Sequence, residues 1–203
     1  MRPKTNTTLS FKVFMLLAAL QLALSNSSFS QSEVNTDVTY GFSTNRAMLW
    51  VPAGWNSVAS HERWGIVNCP GAGTVATEGG IGIVDNEGLH YYLTNNTFDL
   101  QGVVITPQRP STGGSTEVNQ PMIGAAIDYL ITNYGVTRIY LTGYSLGASD
   151  VYDYARLNAH KISGVYFVAG STAHTPLPGT NDSLALLPMW FHTGTADGMQ
   201  PMG

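Results

Sequence analysis

From residue 38 onward, short apolar runs alternate with segments of helical periodicity, and glycine- or proline-bearing turns separate them. Apolar runs of five or six residues have the length of strands buried on both faces, so the alternation predicts a mainly parallel sheet covered by helices. Residues 38–43 and 47–51 read as an initial strand pair, 65–69 as a buried strand and 100–106 as the next. A helix is expected over 84–93. The clearest periodicity is Ile123, Ala126, Ile127, Leu130, Ile131 and Tyr134, one helix face with Pro121 near its start and Gly135 after its end. Residues 138–142 then form a strand, and Ala148, Val151, Tyr152 and Ala155 recur at helical spacing beyond it. Two more apolar runs, 162–169 and 187–191, complete the set. No repeat, low-complexity stretch or linker interrupts this order, so residues 31–203 are expected to form one α/β domain of three α/β/α layers.

The first thirty residues stand apart. Arg2, Lys4 and Lys12 precede an apolar stretch over 13–24, and small polar residues follow to Ser30. This is the pattern of a cleaved signal peptide, and the stretch is short for a membrane span, so a secreted or periplasmic protein without stable membrane insertion is expected. Three of the nine basic residues lie in that leader, leaving the remainder more acidic than the net charge of −4 for the whole chain. Such a surface repels phosphate backbones, which argues against a nucleic-acid partner. Cys69 is the only cysteine and ends an apolar run, as a small core residue does. The five histidines, at 61, 90, 160, 174 and 192, show no metal-ligand spacing, and neither a metal nor an organic cofactor is expected.

Chemistry enters at residues 143–147, Gly-Tyr-Ser-Leu-Gly, which fall where the strand pattern hands over to the helical one. A serine on so sharp a turn projects its hydroxyl clear of the backbone, and only small residues fit two positions to either side. With 22 glycines in 203 residues the pentapeptide alone is weak, so its place at the junction carries the argument. Ser145 is thus the candidate nucleophile. The amide of Leu146 opens the following helix, where N–H groups are unsatisfied and the helix dipole is positive, and can stabilise an oxyanion. A second donor is expected from the small-residue loop Pro70-Gly71-Ala72-Gly73, at either Ala72 or Gly71. Tyr144 and the loop 108–116 are candidate pocket residues, with simple packing as the alternative for Tyr144. Asp150 and Asp153, on the helix after the serine, are expected to face solvent.

Together, the 70–73 loop, the 143–147 turn and the run Pro188-Met189-Trp190-Phe191-His192-Thr193-Gly194-Thr195-Ala196-Asp197 resemble the α/β-hydrolases, particularly the secreted esterase, polyester-depolymerase and feruloyl-esterase-like group. The resemblance covers about residues 45–203. It implies that Asp197 is the catalytic acid and that the protein cleaves carboxylic esters, small or polymeric, through an acyl-enzyme. Two departures stand out. Pro70-Gly71 replaces the family's usual His-Gly, and no histidine follows Asp197, although the family order is serine, acid, histidine. His192 reads as a strand-end residue, and His174, on the loop after the 162–169 run, could line the pocket. The expectation is therefore a chain cut short at its C-terminus, lacking a last strand and helix and inactive until the base is supplied. A serine peptidase of the same fold, or a non-catalytic binding protein on this scaffold, are the competing expectations.

Overall fold

Seven strands form in the computed structural model, which describes residues 32–40, 43–74, 88–95, 100–110, 116–170 and 184–194. All of these belong to one compact unit, Gln31–Gly203. Strands β1 (Ser32–Tyr40) and β2 (Ser43–Val51) make an antiparallel pair. After them come β3 (Trp64–Cys69), β4 (Val103–Pro107), β5 (Arg138–Tyr144), β6 (Gly164–Val168) and β7 (Met189–His192). The sheet order is β1-β2-β4-β3-β5-β6-β7. β4 meets β2 antiparallel, and every pairing from β4 across to β7 is parallel.

Three helices are described: α1 (Gly88–Thr94), α2 (Thr116–Tyr134) and α3 (Leu146–Asn158). The α2 and α3 side holds the larger core, in which Val67, Ile105, Leu141 and Phe167 of the sheet meet Ile123, Ile127 and Leu130 of α2 and Val151 and Ala155 of α3. On the opposite face α1 contributes Leu93 to a smaller cluster with Trp50 and Val104. The sheet is thus covered from both sides, and β4, buried at every residue, carries apolar side chains to both.

Three details differ from the sequence expectation. The first strand begins at Ser32 and ends at Tyr40, where 38–43 was expected. Pro121 lies inside α2, because the helix starts at Thr116 and runs more than a turn before it. Ile131 is 47% exposed, so the buried stripe of α2 is Met122, Ile123, Ala126, Ile127 and Leu130. Of the helix expected over 84–93, residues 84–87 lie outside the described residues.

The topology places the site. From β3 the chain crosses to β4 on one side and returns to lay β5 on the other, so β3 and β5 are neighbours whose following segments diverge. A crevice opens at the carboxyl ends of two strands where the winding reverses in this way.

Candidate active site

β5 ends at Tyr144, and Ser145 follows with φ 54° and ψ −120° before α3 begins at Leu146. A non-glycine residue rarely takes a positive φ, and such strain persists only where the surroundings over-determine it. They do so here. The Ser145 amide donates to the Val168 carbonyl of β6 at 2.8 Å, and the Ser145 carbonyl accepts from the Ala148 amide at 3.0 Å. A Cβ on Gly143 would collide with the backbone of Gly147, and one on Gly147 would collide with the carbonyl oxygens of Cys69 and Pro70. The two glycines of the pentapeptide therefore let the first turn of α3 lie directly on the end of β3. The Ser145 hydroxyl makes no capping hydrogen bond to the helix.

That packing brings the 70–73 loop beside the N-terminus of α3. Gly71 is buried, while Ala72 is exposed and opens a 3-10 turn, Ala72–Thr74. The Gly71 carbonyl is held inward by the Thr74 hydroxyl at 2.9 Å and the Thr74 amide at 3.4 Å. Leu146 supplies the first amide of α3, at the positive end of the helix. Gly71, Ala72, Ser145 and Leu146 are thus gathered at one sheet edge, in the crevice between β3 and β5.

The neighbouring strands end at the same edge. β6 pairs Val168 with Tyr144, and β7 pairs His192 with Val168. Ala169 leaves β6 with φ 50°, its amide donating to the His192 carbonyl at 2.8 Å. Thr193 and Gly194 continue from β7 at this edge; Asp197 and His174 lie outside the described residues. His61 and His160 sit in exposed 3-10 turns. His90 is fully buried in α1, with Nδ1 3.3 Å from the Thr106 hydroxyl, which in turn accepts from the Asn68 amide at 3.1 Å.

Tyr144 is 43% exposed and points to the α1 side of the sheet. There it lines a largely apolar cavity of about 760 Å³ with Tyr92, Tyr140, Tyr166 and Trp190, while Ser145 is not part of that lining. Cys69 is buried, and burial followed by the Asp150 charge pushes its thiol well above the ordinary range, with Arg109 opposing. It is a protonated core residue rather than a nucleophile.

Asp150 and Asp153 do not face solvent; both are buried. Asp150 pairs with fully buried Arg109 at 3.0 Å and accepts from the Asn119 amide at 2.9 Å, and Asp153 pairs with Arg156 at 3.4 Å. The expectation fails because α3 is buried nearly all round, from Gly147 to Arg156 with Tyr152 half-buried, and a helix enclosed in this way has no solvent face for its acids. The signal available in the sequence was the scatter of apolar residues around the whole of α3. Nothing in the local sequence of Arg109 or Asn119 marks them as partners of Asp150.

Neither a family model nor a curated protein sequence matches the chain. Solved structures do. A thermostable esterase superposes with TM-score 0.59 at 18% identity, covering 78% of this chain and 45% of its own. A dienelactone hydrolase-like promiscuous phosphotriesterase from metagenomic libraries gives TM-score 0.62 at 13% identity, covering 84% of this chain and 72% of its own. The dienelactone hydrolase of Anabaena variabilis gives TM-score 0.54 at 12% identity, covering 80% and 84%. The chain therefore spans less than half of the esterase's length and most of the dienelactone hydrolase's.

Proposed function

We infer that this chain, which has the α/β-hydrolase fold, belongs to an exported serine hydrolase that cleaves carboxylic esters. The observation that carries this reading is Ser145, strained at φ 54° between β5 and α3, with its hydroxyl making no capping bond to the helix. In this mechanism a histidine base takes the hydroxyl proton as Oγ attacks the ester carbonyl carbon, and the charge moves onto the carbonyl oxygen. The Leu146 amide, with Ala72 or Gly71, stabilises that oxyanion. Collapse of the intermediate breaks the bond to the alcohol, which leaves with the proton returned by the base, and water then releases the acyl group by the same two steps. Asp197 is assigned the orienting acid, three residues beyond the end of the described β7 segment. The leader pattern of residues 1–30 supports export.

Labelling with a fluorophosphonate tests the nucleophile. The full-length polypeptide should react and Ser145→Ala should not; equal labelling of both removes Ser145 from the mechanism. Turnover of aryl esters but not of peptide amides supports the esterase assignment. The reverse preference makes the protein a peptidase on the same nucleophile, and the absence of labelling leaves a binding role for the scaffold.

A further inference from the structure

Beneath the first turns of α3 lies a charge pair that the reaction does not touch. Asp150 is five residues past Ser145, about 7 Å along the helix axis, and 3% exposed. One carboxylate oxygen lies 3.0 Å from Nη2 of Arg109, just beyond the end of β4, and the other accepts from Asn119 of α2 at 2.9 Å. Arg109 is fully buried, and among the described residues none of its three guanidinium nitrogens has a hydrogen-bond partner, the Nη2 contact with Asp150 being an ion pair. Asp150 is the carboxylate that faces its charge among the described residues. A buried ion pair of this kind is a poor source of stability, because desolvation consumes the attraction and an apolar pair of equal volume often does as well. What such a pair supplies is a fixed position.

The nucleophile turn requires one. Its strand side is held through backbone, by the Ser145 amide on the Val168 carbonyl and the close approach of Gly147 to the carbonyls of Cys69 and Pro70, together with the packing of Ala148 on the sheet. From the other side Asp150 ties α3 at once to Asn119 of α2 and to Arg109 of the segment just after β4, beside the apolar packing of Val151 and Ala155. The sign of the charge matters as well. A bare carboxylate about one turn from the helix N-terminus opposes the negative charge that develops at the Leu146 amide, and Arg109 cancels it in place.

We propose that Arg109, Asp150 and Asn119 form a positioning cluster that holds the Ser145 turn in its strained geometry and keeps the field at the Leu146 amide positive. This inference rests on the assignment of Ser145 as nucleophile. Three variants of the full-length polypeptide test it: Arg109→Lys, Arg109→Met, and the apolar double variant Arg109→Met with Asp150→Leu. Arg109→Met should lower kcat for an aryl ester, and the fluorophosphonate labelling rate, by 10- to 100-fold, with KM within about threefold. Arg109→Lys should recover part of that loss. The double variant should regain the denaturation midpoint without regaining the rate. A double variant that is both as stable and as fast as the wild type overturns the proposal, because the pair would then be structural only.

Amide hydrogen exchange separates this outcome from a failure of the nucleophile assignment. If the wild type is not labelled at Ser145, the cluster still predicts that Arg109→Lys, the mildest change, speeds exchange at Ala148 and Ser149 at least tenfold while β4 is unaffected. Exchange there that changes only in step with β4 overturns the positioning role whatever Ser145 does.

Discussion

Ser145 holds a conformation that costs on the order of 1–3 kcal/mol, and its neighbours are chosen to sustain it. Gly147→Ala is the sharpest probe, because the added methyl meets backbone oxygens of Cys69 and Pro70 that cannot rotate away. It should destabilise the protein by about 2–4 kcal/mol in urea denaturation and cut the labelling rate at Ser145 more than 10-fold. Tyr154 bears on a different observable. Burial, followed by the Asp128 charge, raises its phenol to about 12 from the usual 10.0. The folded protein therefore keeps this proton after the unfolded chain has released it, and the associated stability is complete below pH 10 and lost as pH rises towards 12. Denaturation midpoints measured across that interval should fall in the wild type and fall less steeply in Tyr154→Phe. Cys69 has the same sign, and iodoacetamide should leave it unmodified until the protein unfolds.

At the level of elements, α2 and α3 show what was legible and what was not. The stripe from Ile123 to Leu130 could be read directly, because α2 has one buried face and its period survives in the sequence. Gly124 sits beside that stripe with ordinary room, the nearest atom to an added Cβ being the Tyr154 hydroxyl at 3.7 Å. Gly124→Ala should accordingly raise stability by about 0.5–1 kcal/mol in thermal or urea unfolding, the opposite sign from Gly147→Ala. α3 was legible only in part. Its strand-to-helix junction at Ser145 is spelled by residues adjacent in the chain, whereas the partners of Asp150 are Asn119 of α2 and Arg109 just after β4, 31 and 41 residues away in sequence. Pairing at that range leaves no local trace, so the acids of a helix buried nearly all round look like the acids of an exposed one. Pro121 misled for a related reason. Proline marks a helix start by propensity, yet α2 begins at Thr116, five residues earlier.

Across the whole molecule the two sheet faces are unequal. α2 and α3 cover one as far as β6, but over β5, β6 and β7 the other leaves Tyr144, Tyr166 and Trp190 exposed, Trp190 by 70%. An apolar surface of this kind binds hydrophobic dyes in the native state. The folded protein should enhance anilinonaphthalene sulfonate fluorescence, and the pair Tyr166→Ser with Trp190→Ser should reduce the enhancement several-fold without altering the far-ultraviolet circular dichroism. A native protein that does not bind the dye contradicts the exposure described for this face.

The hydrogen bond from the Ser145 amide to the Val168 carbonyl also has a consequence in time. During synthesis β5 can pair with β3 as soon as both have left the ribosome, but the turn after it stays unanchored until β6 has emerged and docked. Strand pairing between segments so far apart is slow, since the intervening chain must close as a loop before any contact repays it. The Ser145 turn is therefore completed only after β6 has docked, and a nascent chain halted before residue 168 carries the complete Gly-Tyr-Ser-Leu-Gly sequence without its strained geometry.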